Sequence, residues 1–470
     1  MKYCKPFLLF FLGFSTIHGI SQVRLPAVLS SGMVLQQNDS ATIWGWSQPA
    51  EKITITTSWN NLTDSTVANS GAVWKLKVKT PPAGGPYKII VVGSNRIELT
   101  DILVGEVWVC SGQSNMEMNE QWGLPDVKAE LPASANNTIR FFYIPKTTSA
   151  YPQDDCHANW VNCDSNTLKS FSAVAYFFGK KLNKELNVPI GLINANWGGT
   201  PAEVWTPAEL VNNNLELKAS ADKQQPYSWW PSTPGIAFNG MIAPITNFSI
   251  AGAIWYQGEG NTVAPLTYDR LLTTMIDAWR KAWNKDLPFY YVQIAPFKYG
   301  TTNIGNLLRE QQAKTLTHNN VGMAVISDLV DDTTDIHPKN KHDVGYRLAN
   351  WALAETYHKS GLTYKSPVYK NIGVKKNKAT ITFDNVPTGL MAKDKKINAL
   401  LIAGADKNFY PADAKIEGDK LIVWSVSVKD PVAVRFSFSN AAIGNLFSKE
   451  GLPVCPFRTD DWAVGQVAVP

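Results

Sequence analysis

Histidine and cysteine are scarce in this chain, with 6 and 5 among 470 residues. So few histidines, none in an H-x-x-x-H or H-E-x-x-H arrangement, supply a metal centre poorly. Cysteine at this density is not what holds a chain of this length together. Cys4 lies in the leader described below, which leaves Cys110, Cys156, Cys163 and Cys455. Cys156 and Cys163 bound one polar stretch, where a disulfide and two free thiols fit equally well. Long runs of one charge are missing too: the net charge of +5 arises without Lys/Arg clusters, which argues against nucleic acid as a partner. Past the N-terminus no apolar run is long enough to span a bilayer, and no internal repeat or low-complexity tract stands out.

The N-terminus has the one short apolar run, residues 7–14, preceded by Lys2 and Lys5 and followed by Gly19 and Ser21. This reads as a secretory signal with cleavage near Ser21, so residues 1–21 are expected to be removed and the protein to be secreted or periplasmic. What is plentiful is aromatic: 17 Trp and 16 Tyr, which serve as core but also suit a protein that handles sugar rings.

The texture of the chain changes twice. Residues 22–100 alternate with period two, as in Val73-Trp74-Lys75-Leu76-Lys77-Val78-Lys79, and residues 81–86 read as a turn. Residues 101–362 alternate strands (107–109, 190–195, 253–256, 289–294, 323–327) with amphipathic helices (171–186, 268–283, 344–357). That alternation predicts a parallel sheet covered by helices on both faces, with a site beyond the carboxyl ends of its strands. Residues 363–470 return to β texture. The expected fold is α/β, with a middle α/β/α domain flanked by two β-sandwich-like domains.

Candidate chemistry follows the strand ends. Val107-Trp108-Val109 stops at Ser111-Gly112-Gln113-Ser114-Asn115, where a serine meets a helix N-terminus and free backbone N–H groups. A lone serine there would more often only cap the helix. Gly198 and Gly199 follow the next strand and let backbone approach a substrate. Gln257, Glu259 and Asn261 follow the third: the two amides either donate to an oxyanion or brace the loop, and the carboxylate fits a loop brace. Asp335 and His337 follow the last, as a general base with its carboxylate or as an acidic surface loop. Cys110 fits a small buried hydrophobe better than a nucleophile, and Glu259 lacks a visible acid partner for glycosidase chemistry.

Together Gly112-Gln-Ser-Asn-Met116, Gly198-Gly-Thr200, Trp255-Tyr-Gln-Gly-Glu-Gly-Asn261 and Asp335-Ile-His-Pro338 occur in the order of the blocks of SGNH hydrolases, and the wording resembles the sialate O-acetylesterase family. Further stretches carry the likeness over nearly the whole mature chain: Ser31-Gly-Met-Val-Leu-Gln-Gln37, Pro288-Phe-Tyr-Tyr-Val-Gln-Ile-Ala295 and Pro453-Val-Cys-Pro-Phe-Arg-Thr-Asp-Asp-Trp462. The resemblance implies an exported serine esterase removing O-acetyl groups from sialic acids, with an SGNH α/β/α domain and no metal or organic cofactor. Ser114 would be the nucleophile, His337 the base and Asp335 its orienting acid. The oxyanion hole would be drawn from the N–H groups of Ser114 and of Gly198 or Gly199, with an amide from Gln257 or Asn261.

The acid departs from the pattern: many SGNH enzymes place it three before the histidine, where this chain has Thr334. In an extended segment Asp335 and His337 still face one side; otherwise Asp328 or Asp332 would serve. Arg280, Arg309 and Arg347 are candidates for a sialate carboxylate, and helix-surface ion pairs explain them as well. Two alternatives therefore stand beside the sialate reading: an acetyl esterase for plant or microbial polysaccharides, and an idle carbohydrate-binding protein on the same scaffold.

Overall fold

The computed structural model describes residues 22–225, 227–300 and 303–464, so the leader 1–21 lies outside the described residues. Its organising element is one long strand, β1 (Arg96–Gly112). The first six residues alternate between exposed and covered, whereas everything from Ile102 to Gly112 is buried. That change matches the pairing. The first half runs antiparallel to the strand Gly84–Val92, one face in water. The second half lies between two parallel strands and is covered on both faces.

The other strands of the central sheet are β2 (Asn136–Tyr143), β3 (Trp160–Cys163), β4 (Ile190–Asn196), β5 (Gly252–Tyr256), β6 (Phe289–Val292) and β7 (Val321–Ala324). Their order is β7-β6-β5-β1-β4-β2-β3, parallel throughout except for β3 on its edge. The chain first completes one side of β1, with β4 laid between β1 and β2, and then builds outward on the other. The crevice at the carboxyl end of β1, between β4 and β5, is thus the switch point where such sheets bind ligands.

The helices used below are α1 (Ser114–Glu117), α2 (Ala173–Leu186), α3 (Tyr268–Trp283), α4 (Ile304–Lys314) and α5 (Lys341–Trp351). Alternate residues of the strands feed two cores. Val107, Val109, Ile193 and Trp255 meet Leu272, Ile276 and Trp279 of α3. Trp108, Cys110, Ile254 and Tyr290 meet Val174 and Phe178 of α2 and Val344 and Leu348 of α5. These layers are the mixed α/β architecture that the strand–helix alternation predicts.

Residues before β1 contribute Val34, Ile53, Ile55, Trp74 and Ile89 to the first of those cores. Where a turn was expected at 81–86, the strand Gly84–Val92 already begins, because Gly84 pairs with Val104 of β1. After α5 the chain forms two antiparallel four-stranded sheets around a separate core that includes Ile381, Ile402, Val423 and Phe436. Cys110, Cys156, Cys163 and Cys455 are all free and buried. Among the described residues no helix is long and apolar enough to cross a membrane.

Candidate active site

β1 ends at Gly112 with φ +140, and a Cβ there would stand 2.2 Å from the Tyr256 carbonyl oxygen of β5. Only glycine permits so close an approach in that conformation. Gln113 then fixes the turn. Its N–H donates to Tyr256 O at 3.0 Å, and its Oε1 accepts from the N–H groups of Gly258 and Gly260. Ser114 opens α1 in this clamp.

Ser114 Oγ lies 2.9 Å from Nε2 of His337, although 223 positions separate them in sequence. Asn115 supplies the bridge. Its Nδ2 donates to the Ile336 carbonyl at 3.1 Å and to Glu259 Oε1 at 2.7 Å, and its Oδ1 accepts from Lys341 Nζ at 2.6 Å. The neighbour of the serine thereby holds the neighbour of the histidine. Neither Asn115 nor Lys341 was singled out from the sequence. The available signal for Lys341 was its charge at the first residue of α5, where the helix dipole disfavours a cation.

The charges in this cluster act on His337. Lys341 is wholly buried, and burial pulls its ammonium down to about 7, opposed by Glu259, Asp126 and Asp335. Burial in turn raises the Glu259 carboxyl. The His337 imidazole is lowered from its ordinary value of 6.5 by burial first and by Lys341 second, against Asp335. A lowered value keeps Nε2 unprotonated at neutral pH, ready to accept the serine proton. The acid limb of kcat/KM is accordingly expected below pH 6.5, with activity lost as pH falls through the lowered pKa. A pH–rate profile of a neutral ester checks this, and an inflection above 6.5 would contradict it.

Asp335 is placed differently from expectation. The segment turns rather than extends, and its carboxylate accepts the main-chain N–H of His337 at 2.9 Å, leaving ring Nδ1 at 3.7 Å. The two substitutes are engaged elsewhere: Asp328 in a paired bond with Arg347, and Asp332 with the N–H and hydroxyl of Thr334.

The oxyanion candidates divide. Gln257 is fully buried and its amide nitrogen donates to Thr200 O and Asn261 Oδ1. Asn261 donates to Glu203 and accepts from the Ala202 N–H. These two amides brace the 197–202 and 257–261 loops against each other and do not line the cleft with Ser114. The Gly198 N–H donates to Glu117 Oε2 at 2.6 Å, while Lys146 holds the other oxygen of that carboxylate. Gly199 has φ +81 and, like Ser114, an N–H with no acceptor among the described residues. Cys110 lies wholly buried in β1, where burial pushes its thiol up and away from the reactive thiolate.

The cleft above Ser114 has a volume of about 490 Å³, with His337, Trp122, Trp229 and Trp230 among its walls. None of the three candidate arginines lines it. Arg280 binds carbonyls of Leu287, Asn319 and Asn320, Arg309 those of Ser439 and Asn440, and Arg347 binds Asp328.

A serine hydroxyl against an imidazole at a switch point suits ester hydrolysis, and the comparisons place the chain among ester hydrolases. The chain belongs to the family of carbohydrate esterases described as sialic acid-specific acetylesterases, whose model matches residues 104–354. Sialate O-acetylesterase of Homo sapiens is 29% identical over 392 residues, covering 74% of this chain and 74% of that protein. The mouse (Mus musculus) protein of the same name is 28% identical over 422 residues, covering 74% and 76%. Among solved structures, a carbohydrate acetylesterase from Xanthomonas citri is 37% identical with a TM-score of 0.86, covering 94% of this chain and all of that one.

Proposed function

We propose that this protein is an exported serine esterase that removes O-acetyl groups from sugar hydroxyls through an acetyl-enzyme. The observation that carries the reading is the 2.9 Å contact between Ser114 Oγ and His337 Nε2. Ser114 Oγ attacks the acetyl carbonyl carbon while its proton passes to Nε2. The tetrahedral oxyanion is met by the N–H groups of Ser114 and Gly199, joined by that of Gly198 once Glu117 turns aside; each such donor is worth about 3 kcal/mol in the transition state. Nε2 then returns the proton to the departing sugar oxygen, leaving acetyl on Ser114. Water, deprotonated by His337 Nε2, attacks that ester, and the proton passes from Nε2 to Ser114 Oγ as acetate leaves.

Asp335 stabilises the loop and the imidazolium from 3.7 Å rather than by a direct ring bond. Asp335→Asn is therefore expected to reduce kcat by less than the roughly 10⁴-fold seen where the acid bonds the imidazole directly. Steady-state kinetics on a chromogenic acetyl ester would decide it. A loss of the full size would mean that the carboxylate swings onto Nδ1 during turnover.

Export rests on the leader at residues 1–21, and the working division is an N-terminal β part (22–100), the catalytic part (101–362) and a C-terminal β part (363–470). O-acetylated sialic acid is the substrate suggested by the relatives' names. A second reading, an acetylated polysaccharide, is favoured by one feature: the cleft lysine, Lys146, is already paired with Glu117. An idle binding protein is disfavoured because it has no need of a neutral imidazole on Ser114. Hydrolysis of a chromogenic acetyl ester, lost in Ser114→Ala, tests the esterase reading; a wild type without turnover would end it.

A further inference from the structure

Large exposed indoles in one place call for a ligand, because water gains nothing from them and a packed fold avoids them. Trp229 is 65% exposed and Trp122 44% exposed, and both border the Ser114 cleft. They stand on opposite flanks. Trp122 meets the His337 ring edge-on at 5.4 Å. Trp230 rests on Gly199, where a Cβ would come within 2.2 Å of its ring. Tyr227 lies 4.2 Å from Trp230, and Trp229 stands at 79° to it at 5.2 Å, so the three form a corner rather than a flat patch. The corner is fixed in advance: Trp197 Nε1 donates to the Trp229 carbonyl at 2.9 Å. Rigid aromatic walls bind with little loss of side-chain freedom.

The charge in the cleft selects among sugars. A carboxylate ligand calls for an unengaged cation, best an arginine fork. Lys146 is instead held by Glu117 at 2.6 Å, so among the described residues the one cation bordering the cleft besides His337 is already engaged. An anionic sugar would bury its carboxylate there with no unengaged cation to pair it. A neutral pyranose has no such penalty, and its C–H face packs flat on indole or phenol.

We propose that Trp122 on one flank, with Tyr227, Trp229 and Trp230 on the other, are stacking subsites for a neutral O-acetylated oligosaccharide. The acetylated residue sits over Ser114 and its chain neighbours lie on the aromatic rings. This rests on the esterase reading for the position of the acetyl group, and the binding measurement below stands apart from catalysis. Titrate the Ser114→Ala protein with acetylated xylo- and manno-oligosaccharides and with 9-O-acetylated sialic acid, then repeat with Trp229→Ala and Trp229→Phe added. At least one neutral oligosaccharide is expected to bind about tenfold more tightly than the sialic acid, Trp229→Ala to weaken it about tenfold, and Trp229→Phe to restore most of the loss. In the active protein, Trp229→Ala is expected to raise KM for that oligosaccharide by about tenfold more than for a small acetyl ester. Tighter binding of the sialic acid, binding of neither neutral chain, or equal losses on large and small substrates would each overturn the proposal. Absent hydrolysis with intact oligosaccharide binding would overturn the esterase reading and leave the subsites standing.

Discussion

Ser114→Ala is expected to lower kcat on a chromogenic acetyl ester by on the order of 10⁴-fold or more, with the melting temperature almost unchanged. The loss is large because in the proposed mechanism the hydroxyl oxygen forms the covalent bond, and Cys110, the neighbouring thiol, is buried in β1 and pushed up. What survives is catalysis by oxyanion donors and binding alone. The stability cost is small because the serine oxygen's partner is His337, whose side chain is 28% exposed and can turn to water. Retention of about a tenth of the activity, with a folded protein, would place the nucleophile elsewhere. A large fall in melting temperature would show that the variant is misfolded and would make the kinetic loss uninformative until a milder change, Ser114→Gly, is measured.

Lys341→Met should have the largest effect on stability, about 3 kcal/mol, together with a shift in the pH profile. Lys341 is buried and its ammonium is the hydrogen-bond donor to Asn115 Oδ1, over the face of Tyr256 at 5.2 Å. Methionine keeps the volume but leaves that oxygen without its donor and Glu259 without its nearest cation. The second effect has a defined sign. Lys341 is one of the two influences that lower the His337 pKa. Removing its charge lets that pKa rise, so the acid limb of kcat/KM moves to higher pH. The groups that bear on His337 are Lys341 and Asp335 with burial itself, and Asp335 remains to pull upward. Urea unfolding and a pH–rate profile, run on the same preparation, give the two readouts. An unchanged limb would remove Lys341 from the chemistry and leave it a purely structural residue.

Much of the catalytic layer could be read from the chain, for a physical reason. Strands buried on both faces, such as Val107-Trp108-Val109 and the Ile190–Ile193 part of β4, are continuous apolar runs, and α3 has a strong apolar stripe, so its bounds are those expected. β2 and β3 were not read, because β2 opens on the polar run Asn136-Asn137-Thr138 and the edge strand β3, Trp160-Val161-Asn162-Cys163, is short and mixes polar and apolar residues. α4 was hidden by its buried polar residues Asn306, Arg309, Gln311 and Gln312, which break the apolar period; Arg309 and Gln312 find their partners in distant segments. The site shows the same division. The contact between Ser114 and His337 could be anticipated from motif order, while the roles of Gln257 and Asn261 depended on which way an amide points. Both turn into the loops, as buried amides with several backbone neighbours tend to do. The position of Asp335 turned on whether five residues were extended, which no pattern in them announces.

The family match begins at residue 104, in the middle of β1. At that point the strand is held on one side by the segment Val34–Gln36 and on another by Gly84. The stretch that the family model matches is therefore not a unit that stands up by itself. A piece cut at residue 104 would sever the strand on which Ser114 is mounted and bare the apolar side chains that Ile53, Ile55 and Ile89 now cover. In this architecture the apparent accessory segment is a foundation: whatever displaces it reaches Ser114 along a single stretch of backbone, with no joint between.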